Sequence, residues 1–116
     1  MANRAIVNPD TASHYRWGKA SEAWSYLERD DLTIIVEEVP PGESDSRHYH
    51  RSARQYFYVL SGFASIELQD TILKLIPGDG IEIEPGAVHR VFNESLNPVR
   101  FIVISMPDSH NDRIQV

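Results

Sequence analysis

Apolar and polar residues form short runs from Leu32 onward, and turn residues separate these runs. Most runs are rich in β-branched or aromatic residues, a composition typical of strands. Glycine and proline end several of them, as at 40–42, 61–62, 77–80 and 85–86. No run repeats its apolar residues at the 3.6-residue spacing of an amphipathic helix. The pattern therefore predicts an all-β domain, a sandwich or a barrel, with strands at 32–39, 55–60, 64–68, 71–75, 81–84, 89–93 and 99–105.

The first thirty residues lack this pattern. Tyr15, Trp17 and Trp24 fall in a mixed stretch with no clear strand periodicity. Because large exposed aromatic patches are rare in soluble monomers, we expect these side chains to be buried on the domain or on a second subunit. The chain is therefore divided into an irregular N-terminal arm at 1–30, a β-domain at 31–106 and a C-terminal tail at 107–116.

Composition narrows the possible function classes. The 116 residues suffice for one domain, and 41% of them are hydrophobic, which favours a folded core over disorder. The net charge of −6 argues against nucleic acid or an anionic membrane as a partner, since both need clustered Lys and Arg. Without cysteine, disulfides and thiolate chemistry are excluded. No run approaches the roughly 20 apolar residues of a membrane span, and residues 1–10 do not resemble a signal peptide, so a cytoplasmic location is expected.

Three of the five histidines stand at positions where they can converge. His48 and His50 are two residues apart, a spacing that points both side chains to the same face of a strand. His89 follows the turn at 85–86. Gln55 lies five residues after His50, so it faces the same side only if a turn near 52–53 resets the strand. Neutral imidazole is a common ligand of zinc, nickel and iron, so the three histidines predict a site for one divalent metal ion.

The spacing of these residues resembles the two sequence motifs of the cupin family. The residues that resemble the first motif are Gly42, His48, His50, Gln55 and Gly62. Gln55 stands where the family usually has glutamate. The residues that resemble the second motif, with its proline displaced by one position, are Gly78, Glu84, Pro85, Gly86, His89 and Asn93. Two spaced motifs are a far more specific signal than a single His-x-His pair.

This resemblance implies a fold, a ligand set and a partner. The fold would be a double-stranded β-helix, and one divalent ion (Zn, Ni, Mn or Fe) would be held by His48, His50, Gln55 and His89. Gln55 could instead hydrogen-bond a ligand histidine without contacting the metal. Small single-domain bacterial cupins of the RmlC-like superfamily, often labelled mannose-6-phosphate-isomerase-like, are further resembled by segments 55–62 and 101–105 together with Asp112 and Arg113. Such cupins commonly pair through sheet edges, which implies a homodimer with a small-molecule substrate.

The glutamine in the first motif bears on the reaction. Three neutral histidines and a neutral amide leave a divalent ion with its full +2 charge, which favours Lewis-acid chemistry over redox chemistry. Cupins with this ligand set include polyketide cyclases and enzymes that ketonise unsaturated uronates. The ketonising members carry an acidic residue on the last strand, where this chain has Arg100. From the ligand set we expect a non-redox isomerase, cyclase, ketonising or lyase-type enzyme that acts on a small, oxygen-rich metabolite such as a sugar derivative. The alternatives are a metal-dependent dioxygenase and a non-catalytic sugar- or metabolite-binding module.

Four further residues are candidates for the substrate pocket. Phe57 is expected to form either core or pocket wall. Trp17 could cap the open end of a barrel, or pack in the N-terminal arm. Arg47 could hold a substrate carboxylate, although a solvated strand edge is the simpler interpretation. Asn93 is the last residue of the second motif and fits either the pocket or a turn.

Overall fold

The computed structural model describes residues 6–116, and within them the chain forms eleven strands and no helix. The strands are β1 (Ser13–Trp17), β2 (Ser21–Arg29), β3 (Leu32–Val39), β4 (His48–His50), β5 (Arg54–Ser61), β6 (Ala64–Leu68), β7 (Thr71–Leu75), β8 (Gly80–Ile83), β9 (His89–Phe92), β10 (Val99–Met106) and β11 (Arg113–Gln115). The prediction of an all-β domain is confirmed.

The strands form two antiparallel sheets that pack face to face. One has six strands in the order β1-β2-β3-β10-β5-β8, and the other has five in the order β11-β4-β9-β6-β7. Inward positions alternate with outward ones along β3, β5 and β10. The inward apolar side chains of both sheets form one core whose largest fully buried members include Phe101, Ile66 and Ile83. This layered arrangement leaves one end of the interior for polar residues.

The N-terminal arm is not irregular, and that prediction is wrong for the residues that the structure describes. β1 pairs with β2, and β2 pairs with β3, so both strands extend the six-stranded sheet. The buried positions of β2 are the small residues Ser21, Ala23 and Ser25, whereas Trp24 faces outward. This inverted pattern, with small residues inside and aromatic residues outside, hides the strand from a search for hydrophobic periodicity. The first five residues of the predicted arm lie outside the described part of the chain.

The C-terminal tail contains a strand of its own. β11 pairs with β4 in the register Arg113↔His50 and Gln115↔His48. The segment after β10 therefore crosses from the six-stranded sheet to the five-stranded sheet and lies beside the first two candidate ligands. No helix in residues 6–116 has the length and apolar character needed to cross a membrane.

Candidate metal centre

A cavity of about 220 Å³ is lined by residues of both sheets and of the C-terminal segment. β4 and β9 bring His48, His50 and His89 to its wall, and β5 brings Gln55. All four residues are buried, with no more than 7% of each exposed. The structure therefore brings the four predicted ligands to a single cavity.

The three histidines converge because β4 and β9 are neighbours. The two-residue spacing on β4 turns His48 and His50 to the same side, and the ladder places His89 of β9 directly opposite His48. One nitrogen from each ring lies within 4.8 Å of the corresponding nitrogens of the other two. The ring centroids of His48 and His89 are 4.4 Å apart. This cluster is able to bind a metal ion.

Hydrogen bonds fix which nitrogen of each ring faces the cavity. The Nδ1 atoms of His48 and His89 donate to the backbone carbonyls of Ser46 and Ala87, each at 2.8 Å. Because a carbonyl oxygen can only accept, the proton is on Nδ1, and the lone pair is on Nε2. His89 Nε2 is buried and has no hydrogen-bond partner in residues 6–116. Buried polar atoms rarely lack a partner, so this nitrogen is suited to bind a metal ion.

Burial keeps the histidines neutral. It lowers the pKa of His48 and of His50 below the ordinary value, against the opposing effect of hydrogen bonds to Ser46 and Asp112. For His89, burial lowers the pKa from 6.5 to about 4. A neutral imidazole can bind a cation directly, whereas a protonated one must first lose its proton. The site is therefore ready to accept a metal at neutral pH.

Gln55 fits the fourth ligand position. Its Nε2 donates to Ser105 Oγ at 3.0 Å, which turns the amide oxygen away from Ser105. That oxygen is buried and has no hydrogen-bond partner among residues 6–116. The alternative hydrogen bond from Gln55 to a ligand histidine is not formed in this part of the chain. Three imidazoles and one free amide oxygen make a donor set that suits a first-row divalent ion.

Asp112 holds His50 and the turn after it, a role that the sequence analysis did not predict. Its carboxylate accepts hydrogen bonds from His50 Nδ1 and from the backbone amides of Ser52 and Ala53, each at 2.9 Å. These bonds outweigh burial and lower the pKa of Asp112, so the carboxylate is ionised. The turn expected near 52–53 therefore exists, and Asp112 both fixes it and orients a candidate ligand.

We expect Asp112→Asn to weaken zinc binding by about 10- to 100-fold, the usual effect of removing a carboxylate behind a ligand histidine. The substitution keeps the side-chain size but removes the charge that orients His50. Competition with a chromophoric chelator measures the affinity. Asp108→Asn is the matched control, because Asp108 lies in the same segment but bonds His110 instead. Equal losses in both variants would contradict a specific role for Asp112.

The cavity contains a second group that the sequence analysis missed, Glu37 of β3. It occupies an inward position between Ile35 and Val39 and lines the cavity with the histidines. Burial raises the pKa of Glu37 from 4.5 to about 8. The available signal was the alternation of β3, in which 33, 35, 37 and 39 share one face.

Of the four predicted pocket residues, two line the cavity and two do not. Phe57 and Trp17 line the cavity, and Trp17 Nε1 is buried there with no partner among residues 6–116. Arg47 does not line it, because its half-exposed side chain pairs with Glu67 at 3.7 Å. Asn93 does not line it either.

Asn93 is instead fully buried in a turn. Its Nδ2 donates to the carbonyls of Val39 and Asn97, and its Oδ1 accepts from the Ser95 amide. The turn interpretation of Asn93 is therefore the one that the structure supports, since all these bonds hold the backbone.

Comparison with known proteins places this fold and cavity in a family. A model described as a cupin domain matches residues 35–105, and the chain therefore belongs to the cupin family. Over 67 residues it is 36% identical to the probable oxidoreductase patJ of Aspergillus clavatus, a match that covers 56% of this chain and 21% of patJ. The chain thus spans only about a fifth of that relative.

Solved structures agree on the fold. An uncharacterised conserved protein with a double-stranded β-helix domain from Klebsiella pneumoniae superposes with a TM-score of 0.81 at 22% identity, over 98% of both chains. KdgF from a Halomonas species superposes with a TM-score of 0.80 at 20% identity, over 90% of this chain and 95% of KdgF. The double-stranded β-helix that the motifs implied is confirmed.

Proposed function

We propose that this chain is a metal-dependent, non-redox enzyme that acts on a small, oxygen-rich metabolite. The observation that carries the proposal is the free amide oxygen of Gln55 beside three neutral imidazoles. This donor set adds no negative charge to a divalent ion. His48, His50, Gln55 and His89 would hold a divalent ion, which would supply Lewis-acid polarisation of a substrate oxygen.

The cavity itself supports a small substrate. Its volume of about 220 Å³ suits a small metabolite, since a cavity of roughly 150 Å³ is enough to hold benzene. Phe57 and Val91 provide an apolar wall, while Trp17 Nε1 offers a donor that has no partner within residues 6–116. Arg113 lines the cavity, but its guanidinium already donates to Asp45 at 2.9 Å and to Ser46 at 3.0 Å. Substrate recognition therefore depends on hydrogen bonds and metal ligation more than on a free cation.

A dioxygenase is the second candidate. The match to a probable oxidoreductase in Aspergillus clavatus supports it, since the aligned segment covers more than half of this chain. In that case the same residues would hold iron or manganese. Oxygen uptake by the iron-loaded protein separates this candidate from the first one.

Gln55→Glu tests both candidates. The anionic carboxylate should tighten zinc binding by roughly tenfold or more, corresponding to at least about 1.4 kcal/mol. It should also lower a Lewis-acid rate, because the effective charge of the metal falls. A redox reaction should instead gain, since a carboxylate stabilises the oxidised metal. Three measurements check these expectations. Competition with a chelator gives the zinc affinity, proton exchange of dihydroxyacetone gives a Lewis-acid rate, and oxygen uptake gives a redox rate.

Gln69→Glu is the matched control for this test, because it makes the same change of charge at an exposed turn residue. An effect of equal size in both variants would indicate a general electrostatic influence. If Gln55→Glu changes neither affinity nor rate, Gln55 is not a ligand, and the site consists of the three histidines alone.

We also propose that the protein forms a homodimer and takes small molecules rather than nucleic acid or membrane as partners. Support for the dimer comes from the outer face of β5, where Tyr56, Tyr58 and Leu60 are each more than 40% exposed. A cytoplasmic location stays a prediction.

A further inference from the structure

Glu37 lines the cavity but is not one of the residues that would hold the metal. Its carboxyl group has no hydrogen bond and no ion pair within residues 6–116, although its strand position turns it inward. The neighbouring strands contribute no polar partner, because the residues in register with Glu37 are Ala23 on β2 and Phe101 on β10. A carboxyl group at the wall of a cavity with no protein partner is left to interact with what the cavity contains.

The other cavity groups that could carry a proton are either bonded to a neighbour or unable to act as a base near neutral pH. Asp45 accepts from Arg113 at 2.9 Å and from the Ser46 amide at 2.8 Å. His110 is bound to Asp108 at 2.6 Å. Tyr15 also faces Glu37, but burial, followed by the charge of Glu37, raises the pKa of Tyr15 to about 12. Tyr15 is therefore a hydrogen-bond donor and not a base near neutral pH.

The pKa of Glu37 and the pKa values of two of the histidines are influenced by the same neighbouring charges. After burial, the charge of Asp45 raises the pKa of Glu37, while that of Arg113 lowers it. The same two residues act on the pKa of His48 and of His89. The charged and titratable groups facing the cavity with Glu37 are Tyr15, Asp45, His48, His50, His89, His110 and Arg113. A cation at the histidines would lower the pKa of Glu37, because a nearby positive charge favours the ionised carboxylate.

We propose that Glu37 is a catalytic acid–base residue, which exchanges a proton with a hydroxycarbonyl or keto-acid substrate bound at the three-histidine site. This inference rests on the proposed function and adds to it the class of reaction. The site would catalyse enolisation or its reverse.

The proposed proton transfer balances in atoms and electrons without a co-reactant. The Glu37 carboxylate takes a proton from the carbon next to the substrate carbonyl, so the C–H bond breaks and a carboxyl O–H bond forms. The electron pair of the C–H bond becomes a carbon–carbon π bond, and the carbonyl π pair moves to oxygen. Return of a proton from Glu37 to carbon reverses these shifts. Return to a different carbon of a conjugated substrate gives an isomer, with all electrons retained in the substrate.

Solvent exchange measures this step without knowledge of the natural substrate. Zinc-loaded protein is incubated in D₂O with pyruvate or dihydroxyacetone, and loss of the carbon-bound proton signal is followed by ¹H NMR. We expect Glu37→Gln to slow exchange by about 10²-fold or more, the usual contribution of a positioned base. Glu37→Asp should retain part of the rate. The wild-type rate should rise with pH as the carboxylate forms and then level off, and Glu37→Gln should lose this rise.

Glu38→Gln is the matched control. Glu38 is the next residue of β3 but lies outside the cavity, where it pairs with Arg100 at 3.3 Å. It should exchange at the wild-type rate, and all variants should retain zinc. Equal rates in wild type and Glu37→Gln, or no exchange of either probe by zinc-loaded wild type, would overturn the role of Glu37 while leaving the metal site intact. Failure of wild type to bind zinc would overturn the proposed function instead.

Discussion

Replacing His89 with alanine should weaken zinc binding by roughly 10³-fold, a loss of about 4 kcal/mol. His89 is only 2% exposed, and its Nε2 has no alternative partner in the described chain, so it contributes a ligand atom that nothing nearby can replace. Metal bound at a thousand times its dissociation constant stabilises the folded state by about 4 kcal/mol. The variant should therefore also lose the rise in melting temperature that zinc gives the wild type.

Isothermal titration with Zn²⁺ and thermal unfolding with and without the ion check this result. His14→Ala is the control, since His14 lies outside the cavity and bonds Glu22 at 3.1 Å. Wild-type zinc affinity should fall less between pH 7.5 and pH 6 than it would for histidines of ordinary pKa, because burial lowers the pKa of His48 and His50 and brings that of His89 to about 4. Unchanged affinity in His89→Ala would show that the ion binds elsewhere.

Gly62→Ala should destabilise the fold by more than about 3 kcal/mol, a large part of the 5–15 kcal/mol that holds a typical domain. Gly62 has φ +77°, a backbone conformation that costs a non-glycine residue about 1–3 kcal/mol. In addition, a Cβ at this position would lie 2.4 Å from the carbonyl oxygen of Pro98 and 2.9 Å from Val99 Cα. Because both are backbone atoms at the start of β10, the strand itself would have to move.

Urea unfolding measures the change in free energy, and Gly42→Ala separates its two causes. Gly42 has a similar φ of +81°, but a Cβ there would meet nothing within 4 Å. Gly42→Ala should therefore show only the backbone cost. Equal destabilisation of the two variants would mean that the close approach to Pro98 contributes nothing.

The sequence predicted those parts of the molecule that depend on short-range patterns. The strands after residue 32 alternate regularly, and His48 and His50 share a face because of their spacing alone. The spacing of two motifs then placed His89 and Gln55 with them. β1 and β2 were missed because the inward residues of β2 are small, so burial there leaves no hydrophobic signal.

Contacts between residues far apart in the sequence could not be predicted from such patterns. Asp112 reaches His50 across 62 positions, through a pairing of β11 with β4 that no local rule predicts. Glu37 is one of several acidic residues in the chain, and only the cavity distinguishes it from the exposed ones. Arg47 directly precedes His48 in the sequence, yet its side chain pairs with Glu67 instead of lining the cavity.

The bond from Asp112 to His50 also has a consequence for chains that lose their C-terminal end. Proteolytic removal of residues 108–116 would leave the three histidines in place but take away the acceptor of His50 Nδ1 and of the Ser52 amide. Such a chain would keep every candidate ligand and still bind metal less tightly, because β11 would no longer pair with β4 and bring Asp112 to His50. A preparation nicked by proteases should therefore release its ion at chelator concentrations that the intact chain withstands.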